Sequence, residues 1–339
     1  MKVAIDKNSK RVVKDDDNEY IYLFDKEKLG ELLKFNLRCL RYDYCEYVDV
    51  NLTDYDVDCI KKAKYTDKNW DKIEEKDFKI GIIVPNCNYE HTLEKCLNSI
   101  LSQTYKNFEI VFVDDVSTDN SVKIAHELLK PPHKAIELKQ KRYNGGARNE
   151  AYLHLSEDVD YVWYVDSDDW LYDEFVLEKI NKKLQKRPDV LFVGMKKFKG
   201  TEIQSCYIPQ YKDKYEAIQG WSGSCGKVIK KSLATRQDCL YNEGTLKEDK
   251  NQHCRICIHM NNFSLLKDEV YVWNQENQKS VTTVRTKNIL WGTSTIRHYA
   301  DTKQLYLEEK GKDRKIDEIL KKRLTMTKKE MEEGKDRQW

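Results

Sequence analysis

Tyr161-Val162-Trp163-Tyr164-Val165-Asp166-Ser167-Asp168-Asp169 decides the fold. Five apolar, β-branched or aromatic residues end abruptly in three carboxylates. A strand that reads as continuously apolar is buried on both faces, as in a parallel sheet covered by helices. Carboxylates at its carboxyl end then stand at the sheet edge where α/β proteins place ligands. Two-residue alternation points Asp166 and Asp168 the same way. Paired hard oxygens suit Mg²⁺ or Mn²⁺, and Mg²⁺ usually takes one or two carboxylates plus phosphate oxygens. Taken alone, the same residues are equally well an acidic turn capping a helix from about Trp170.

The rhythm upstream decides for the sheet. Ile80-Gly81-Ile82-Ile83-Val84 reads as a buried strand stopped by Pro85-Asn86-Cys87-Asn88, and a helix follows from about Thr92. Glu109 to Val113 is a second strand ending in Asp114-Asp115, and Ser121 to Leu129 a second helix closed by Pro131-Pro132. Strand, helix, strand, helix means βαβ units. Asn144-Gly145-Gly146-Ala147-Arg148-Asn149 opens another helix. Its small residues permit close backbone approach, and its N-terminus with Arg148 favours an anion such as a diphosphate. A glycine turn before a helix with a surface Arg is the plainer alternative.

Downstream, Asp173 to Leu184 has the spacing of an amphipathic helix and Val190 to Val193 that of a strand. Gly220 to Gly226 is a flexible loop carrying Trp221 and ending at Lys227. Glu248-Asp249 is a second acidic pair; in isolation it is a first-turn partner of a helix dipole. His253, Cys254, Cys257 and His259 are too tightly spaced to close a zinc tetrahedron, and Cys254 and Cys257 read as core thiols. From residue 286 onward the chain is charged with helical spacing, and Lys328 to Trp339 reads as a frayed tail.

Residues 1–77 lack this texture and form an accessory region without assignable chemistry. Tyr20 to Phe24 is a short strand, Lys26 to Leu40 an amphipathic helix, Tyr47 to Leu52 a half-buried strand and Tyr65 to Asp77 a linker. The 339 residues carry a formal charge of +2 with 35% charged side chains, which gives no global case for nucleic-acid binding. No run approaches the ~20 apolar residues of a membrane span. Ten scattered Cys in a long chain suggest reduced thiols and a cytoplasmic setting.

Together, these segments resemble a family 2 glycosyltransferase of the GT-A fold over residues 79 to about 283. The likeness rests on Ile82 to Asn88, Cys96 to Tyr105, Phe112 to Asp119, Asn144 to Asn149 and Asp166 to Asp169. Cys87 stands where the family usually has Tyr, and Val116 where it usually has Gly. The resemblance implies an α/β, Rossmann-like, mostly parallel sheet flanked by helices, with the accessory region before it and helices from 286 to 339 after it. It also implies roles. Pro85 and Asn88 shape the nucleotide site, Asp114 and Asp115 bind base or ribose, and Arg148 contacts the sugar diphosphate. Asp166 and Asp168 form the metal-binding pair, Asp168 the direct ligand of Mn²⁺ or Mg²⁺. In the downstream acidic motif Asp249 is the general base beside Glu248, and Trp221 and Lys227 face the acceptor.

The implied reaction is inverting transfer of a sugar from a nucleotide-sugar, a UDP-sugar, to an acceptor hydroxyl on a glycan or wall-polymer precursor. Hydroxymethylated DNA is an alternative acceptor, and a non-catalytic sugar-nucleotide-binding module an alternative class. A nucleotidyltransferase also places carboxylates and a metal at a sheet edge; release of pyrophosphate would identify it. Oligomeric state is not readable from the sequence.

Overall fold

The computed structural model describes residues 76–335 except 246 and 277–288, and in the first 75 residues only the backbone of five strands. The chain divides into two compact units, residues 1–76 and 77–339.

In the first unit, β1 (Lys2–Asp6), β2 (Val13–Lys14), β3 (Tyr20–Leu23), β4 (Arg38–Arg41) and β5 (Cys45–Asp49) form one sheet in the order β2-β3-β1-β5-β4. The expected strands near Tyr20 and Tyr47 are present. The expected helix from Lys26 to Leu40 is not helical at its end, because Arg38–Arg41 pairs antiparallel with β5. Cross-strand pairing there overrides the leucine spacing. The rest of that stretch and most of the expected linker lie outside the described residues.

The second unit is built on one large sheet. β6 (Ile80–Asn86), β7 (Phe108–Asp114), β8 (Lys134–Glu137) and β9 (Tyr161–Tyr164) run parallel in the order β8-β7-β6-β9. β10 (Trp170–Leu171), β11 (Val190–Lys199), β12 (Glu202–Tyr207), β13 (Lys227–Lys230) and β14 (Phe263–Asn274) extend it. There β13 runs antiparallel to β9 and β11, while β11 and β14 are parallel. Helices α1 (Glu90–Leu101), α2 (Ser121–Leu128), α3 (Tyr143–His154) and α4 (Val176–Leu184) follow strands in the expected alternation. Then come α5 (Lys214–Gln219), the one-turn α6 (Lys231–Ala234), α7 (Glu248–His259), α8 (Ile289–Glu309) and α9 (Arg314–Lys335).

The continuous apolar runs are explained by two cores, one on each sheet face. Ile80, Ile82, Val84, Ile110, Phe112, Tyr161 and Trp163 pack on one side with Leu93 and Leu97 of α1 and Leu177 and Ile180 of α4. The alternate residues Ile83, Val111, Val113, Val162 and Tyr164 pack on the other with Ala147 and Ala151 of α3, Cys254 and Cys257 of α7, and Ile316 and Leu320 of α9. Cys254 and Cys257 are therefore core thiols, and all the described cysteines are free.

Two boundaries differ from the sequence expectation. α4 begins at Val176, because Asp173 accepts the Phe175 N–H at 2.9 Å in a turn that delays the helix. The expected tail from Lys328 is helical through Lys335, held by Glu330, which reaches Lys247 at 2.7 Å, and by pairs such as Lys328–Glu332 at 3.7 Å.

Candidate active site

Because β6, β7 and β9 are parallel and in register, Asn86, Asp114 and the acidic segment after Tyr164 end at one edge of the sheet. The loops there are tied to one another. Pro85 C=O accepts Ser167 Oγ–H at 2.6 Å, and Asn86 Nδ2–H donates to Asp114 Oδ1 at 2.8 Å. Asp114 Oδ2 accepts the Ser117 N–H at 2.7 Å. Asn88, at φ 62°, accepts the Thr118 N–H at 2.7 Å. Val116 sits at φ 61°, the left-handed region that glycine enters freely and a β-branched residue rarely does. The departure from the family's glycine is thus accommodated by a strained backbone.

Asp115 is 2% exposed, and its two oxygens accept the N–H groups of Arg142 at 2.6 Å and Tyr143 at 2.8 Å. Those are the N–H groups of the N-cap residue and of the first residue of α3. The anion at this helix N-terminus is the chain's own carboxylate, in the place where the sequence suggested a diphosphate. The need for a glycine at 145 is explained: a Cβ there would lie 2.7 Å from the Asn242 carbonyl oxygen and 3.2 Å from Glu248 Cγ. The close backbone approach is to the segment that carries the second acidic pair.

Arg148 joins the two acidic clusters. Its Nη2–H donates to Asp166 Oδ1 at 2.8 Å and its Nη1–H to Glu248 Oε1 at 2.8 Å. The guanidinium is 3% exposed and lies 5.2 Å from the Tyr241 ring and 5.9 Å from the Tyr164 ring. It therefore bridges carboxylates of the chain, where a contact with the sugar diphosphate was expected. Its position is fixed by Asn149, whose amide pairs with the Tyr241 backbone at 2.9 Å in both directions.

Asp166 and Asp168 are half-buried, whereas Asp169 is 3% exposed. Asp169 accepts the Tyr271 O–H and, at 2.8 Å, the Asn274 N–H. Burial, then Asp168 and Asp166, lift its carboxyl well above the usual range. Burial and the same carboxylates raise the Tyr89 phenol. The donors here are hard carboxylate oxygens. The chemistry of Asp166 and Asp168 fits a divalent cation that completes its shell with phosphate oxygens.

In the first turn of α7, burial pushes Glu248 up to about 7, with Arg148 opposing and Asp249 adding to the rise. Burial also raises Asp249, against Lys227, Arg148 and Lys250. Unlike Glu248, the Asp249 carboxylate receives no hydrogen bond from a side chain or backbone group among the described residues.

Lys227 is fully buried beneath the Gly220–Gly226 loop, and its ammonium donates to the carbonyls of Ser222 at 3.0 Å and Gly223 at 2.7 Å. Burial lowers it to about 8. Its ammonium thus pins the loop through two backbone carbonyls, and Asp249 is among its electrostatic neighbours. Trp221 is half-buried, with its ring 5.6 Å from Tyr207 and 6.0 Å from Trp273 and its indole N–H without an acceptor among the described residues. Tyr271 and Tyr241 were not singled out from sequence, and Asn149 and Asp169 were named only as members of their motifs, without a role. Each acts through partners about 90 to 105 residues away, and no local pattern announces such a pairing.

Among the described residues, Asp238, Cys239 and His259 also cluster. Asp238 is already engaged by His259 at 2.9 Å and by Arg236 at 2.8 Å, which leaves no charge for a cation. No described helix is long and apolar enough to cross a membrane.

Residues 81–221 match the model of the family described as glycosyl transferase family 2. The glycosyltransferase GlyA of Streptococcus pneumoniae serotype 4 is 42% identical over 119 residues, 35% of this chain and 17% of that protein. The poly(ribitol-phosphate) beta-glucosyltransferase of Bacillus spizizenii is 31% identical over 37% of this chain and 20% of its own length. This chain thus spans a fifth or less of both relatives. The structure of Staphylococcus aureus TarS residues 1–349 in complex with UDP-GlcNAc aligns with TM-score 0.57 and 22% identity over 66% of each chain. That likeness establishes the fold, which is GT-A.

Proposed function

We propose that this chain, whose residues 81–221 match the glycosyl transferase family 2 model, transfers a sugar from a nucleotide-sugar to an acceptor hydroxyl with inversion. The donor is a UDP-sugar and the acceptor a wall-polymer precursor or related glycan. One observation carries the proposal: Arg148 ties Asp166 at the strand end to Glu248 at the helix start, so the donor-side and acceptor-side carboxylates belong to one cluster. Two relatives, a poly(ribitol-phosphate) beta-glucosyltransferase and a poly(ribitol-phosphate) beta-N-acetylglucosaminyltransferase, support the acceptor class. The complex of TarS with UDP-GlcNAc supports the donor.

In this reading Asp166 and Asp168 hold Mn²⁺ or Mg²⁺, which when bound supplies positive charge against the developing diphosphate. The loops fixed by Pro85, Asn88, Asp114 and Asp115 form the rim that receives the nucleotide. Asp249 accepts the proton of the acceptor hydroxyl as that oxygen bonds to the anomeric carbon. The bond from the anomeric carbon to the diphosphate oxygen breaks, and the nucleoside diphosphate leaves with the electron pair. Arg148 keeps Asp166 and Glu248 oriented, so Asp249 is presented without competition from its neighbour.

The test uses the full chain with Mg²⁺, reading nucleoside diphosphate release from UDP-, GDP- and dTDP-sugars with and without glycan acceptors. Asp249→Asn should lower transfer by about 10²- to 10⁴-fold while donor affinity by calorimetry stays within twofold. Unchanged turnover would remove Asp249 from the base role.

A further inference from the structure

A cavity of about 320 Å³ opens between α9, α8, the first turn of α7 and the loop after α5. Lys250, Lys322 and Arg323 line it against a single carboxylate, Glu330. His298 also lines it, is 2% exposed and has no partner at Nδ1 among the described residues. Burial and the nearby Lys250, Arg323 and Lys247 push this imidazole down to about 2, so it is neutral at any working pH. Arg323 Nε likewise lacks an acceptor, although Nη2 donates to the Lys250 carbonyl at 3.1 Å.

Buried donors without acceptors are costly, and a ring of cations around them makes an oxyanion the group that satisfies both needs. Glu330 already serves the cations from one side, at 2.7 Å from Lys247 and 3.8 Å from Lys250. Nothing in the transfer chemistry uses this charge. Its position is informative: Lys250 follows Asp249 in α7, and the lining Ser222 gives its carbonyl to Lys227 beneath the acceptor-side loop.

We propose that this pocket is an oxyanion subsite that holds a phosphate group of the acceptor while the neighbouring hydroxyl is presented to Asp249. It rests on the transferase reading, since only that reading makes the Asp249 side the acceptor side. Arg323 and Lys322 on consecutive positions of α9 supply charge, and the Nδ1–H tautomer of His298 supplies a neutral donor. The phosphate can come from a phosphodiester repeat in a polymer or from the diphosphate of a lipid-linked acceptor; both present the same oxygens.

The experiment begins with inorganic phosphate, titrated calorimetrically into the full chain with UDP and Mg²⁺ filling the donor site. Lys322→Glu, at an exposed position, should weaken phosphate about tenfold, whereas Glu330→Gln should tighten it several-fold. Three acceptors then identify the source: a glycerol-phosphate oligomer, a short prenyl-diphosphate-linked sugar and a neutral oligosaccharide. The KM of whichever phosphate-bearing acceptor docks here should rise about tenfold in Lys322→Glu, with the neutral acceptor unchanged. Identical phosphate affinity in all three proteins, or an equal KM change for every acceptor, overturns the subsite. Failure of the chain to bind UDP would instead overturn the transferase reading, and the phosphate titration would still report on the pocket.

Discussion

The two acidic clusters joined by Arg148 are built in opposite ways. At the end of β9, the backbone places Asp166, Asp168 and Asp169, and distant groups then tie down Asp166 and Asp169. Asp169 is held by Tyr271 and Asn274, Asp166 by Arg148, and the Asp166 N–H donates to the Tyr271 hydroxyl at 3.2 Å. At the start of α7 only Glu248 is tied, and Asp249 receives no hydrogen bond among the described residues. A cluster meant to grip a cation and phosphates needs fixed oxygens. A proton acceptor needs one carboxylate left unspent, with its affinity for the proton raised by burial. In the proposed reaction the same residue type is assigned both jobs because its surroundings differ.

Cutting the link between the clusters has the largest expected effect on stability. Arg148→Met should destabilise the ligand-free protein by about 3–5 kcal/mol in denaturant unfolding, because two carboxylates then lose their buried partner. Unchanged stability with lost donor affinity would instead make Arg148 a ligand of the substrate, and the contrast between tied and untied clusters would fail.

The helix side can be isolated through pH. Glu248 has its folded-state pKa raised from 4.5 to about 7, so its stability contribution is fully present below pH 4.5 and is lost as pH rises through about 7. Glu248→Gln should flatten that part of the stability-against-pH curve. An identical slope in the variant would mean that another group carries it.

The strand side can be loosened alone and should respond least. Tyr271→Phe leaves Asp169 short of one donor and should cost about 1–3 kcal/mol in thermal unfolding, with the acceptor KM unchanged. A rise in acceptor KM would show that the two clusters are less separable than their hydrogen bonds suggest.

The parallel half of the sheet was legible because burial on both faces leaves a continuous apolar run, as in Ile80–Val84 and Tyr161–Val165. The acidic ends were legible for the same reason, since carboxylates that interrupt such a run mark where the chain leaves the buried sheet for its edge. The role of Arg148 was not. Its partners lie 18 and 100 residues away, and a guanidinium that serves ligand or protein looks alike in sequence. The burial of Lys227 was not legible either, because nothing local reveals that the Ser222 and Gly223 carbonyls turn to meet its ammonium. Glu248-Asp249 gained meaning only through the family's ordered motifs, and the pocket around His298 gave no local sign because α9 completes it.

Val116 has a last consequence. It is 41% exposed, so no packing demands its branched side chain, and its left-handed backbone costs about 1–3 kcal/mol. A glycine would relieve that cost but would let the loop wander among many shapes before a nucleotide arrives. Valine trades comfort for stiffness: the receptor loop is pre-set, and little disorder is left to be frozen out on binding.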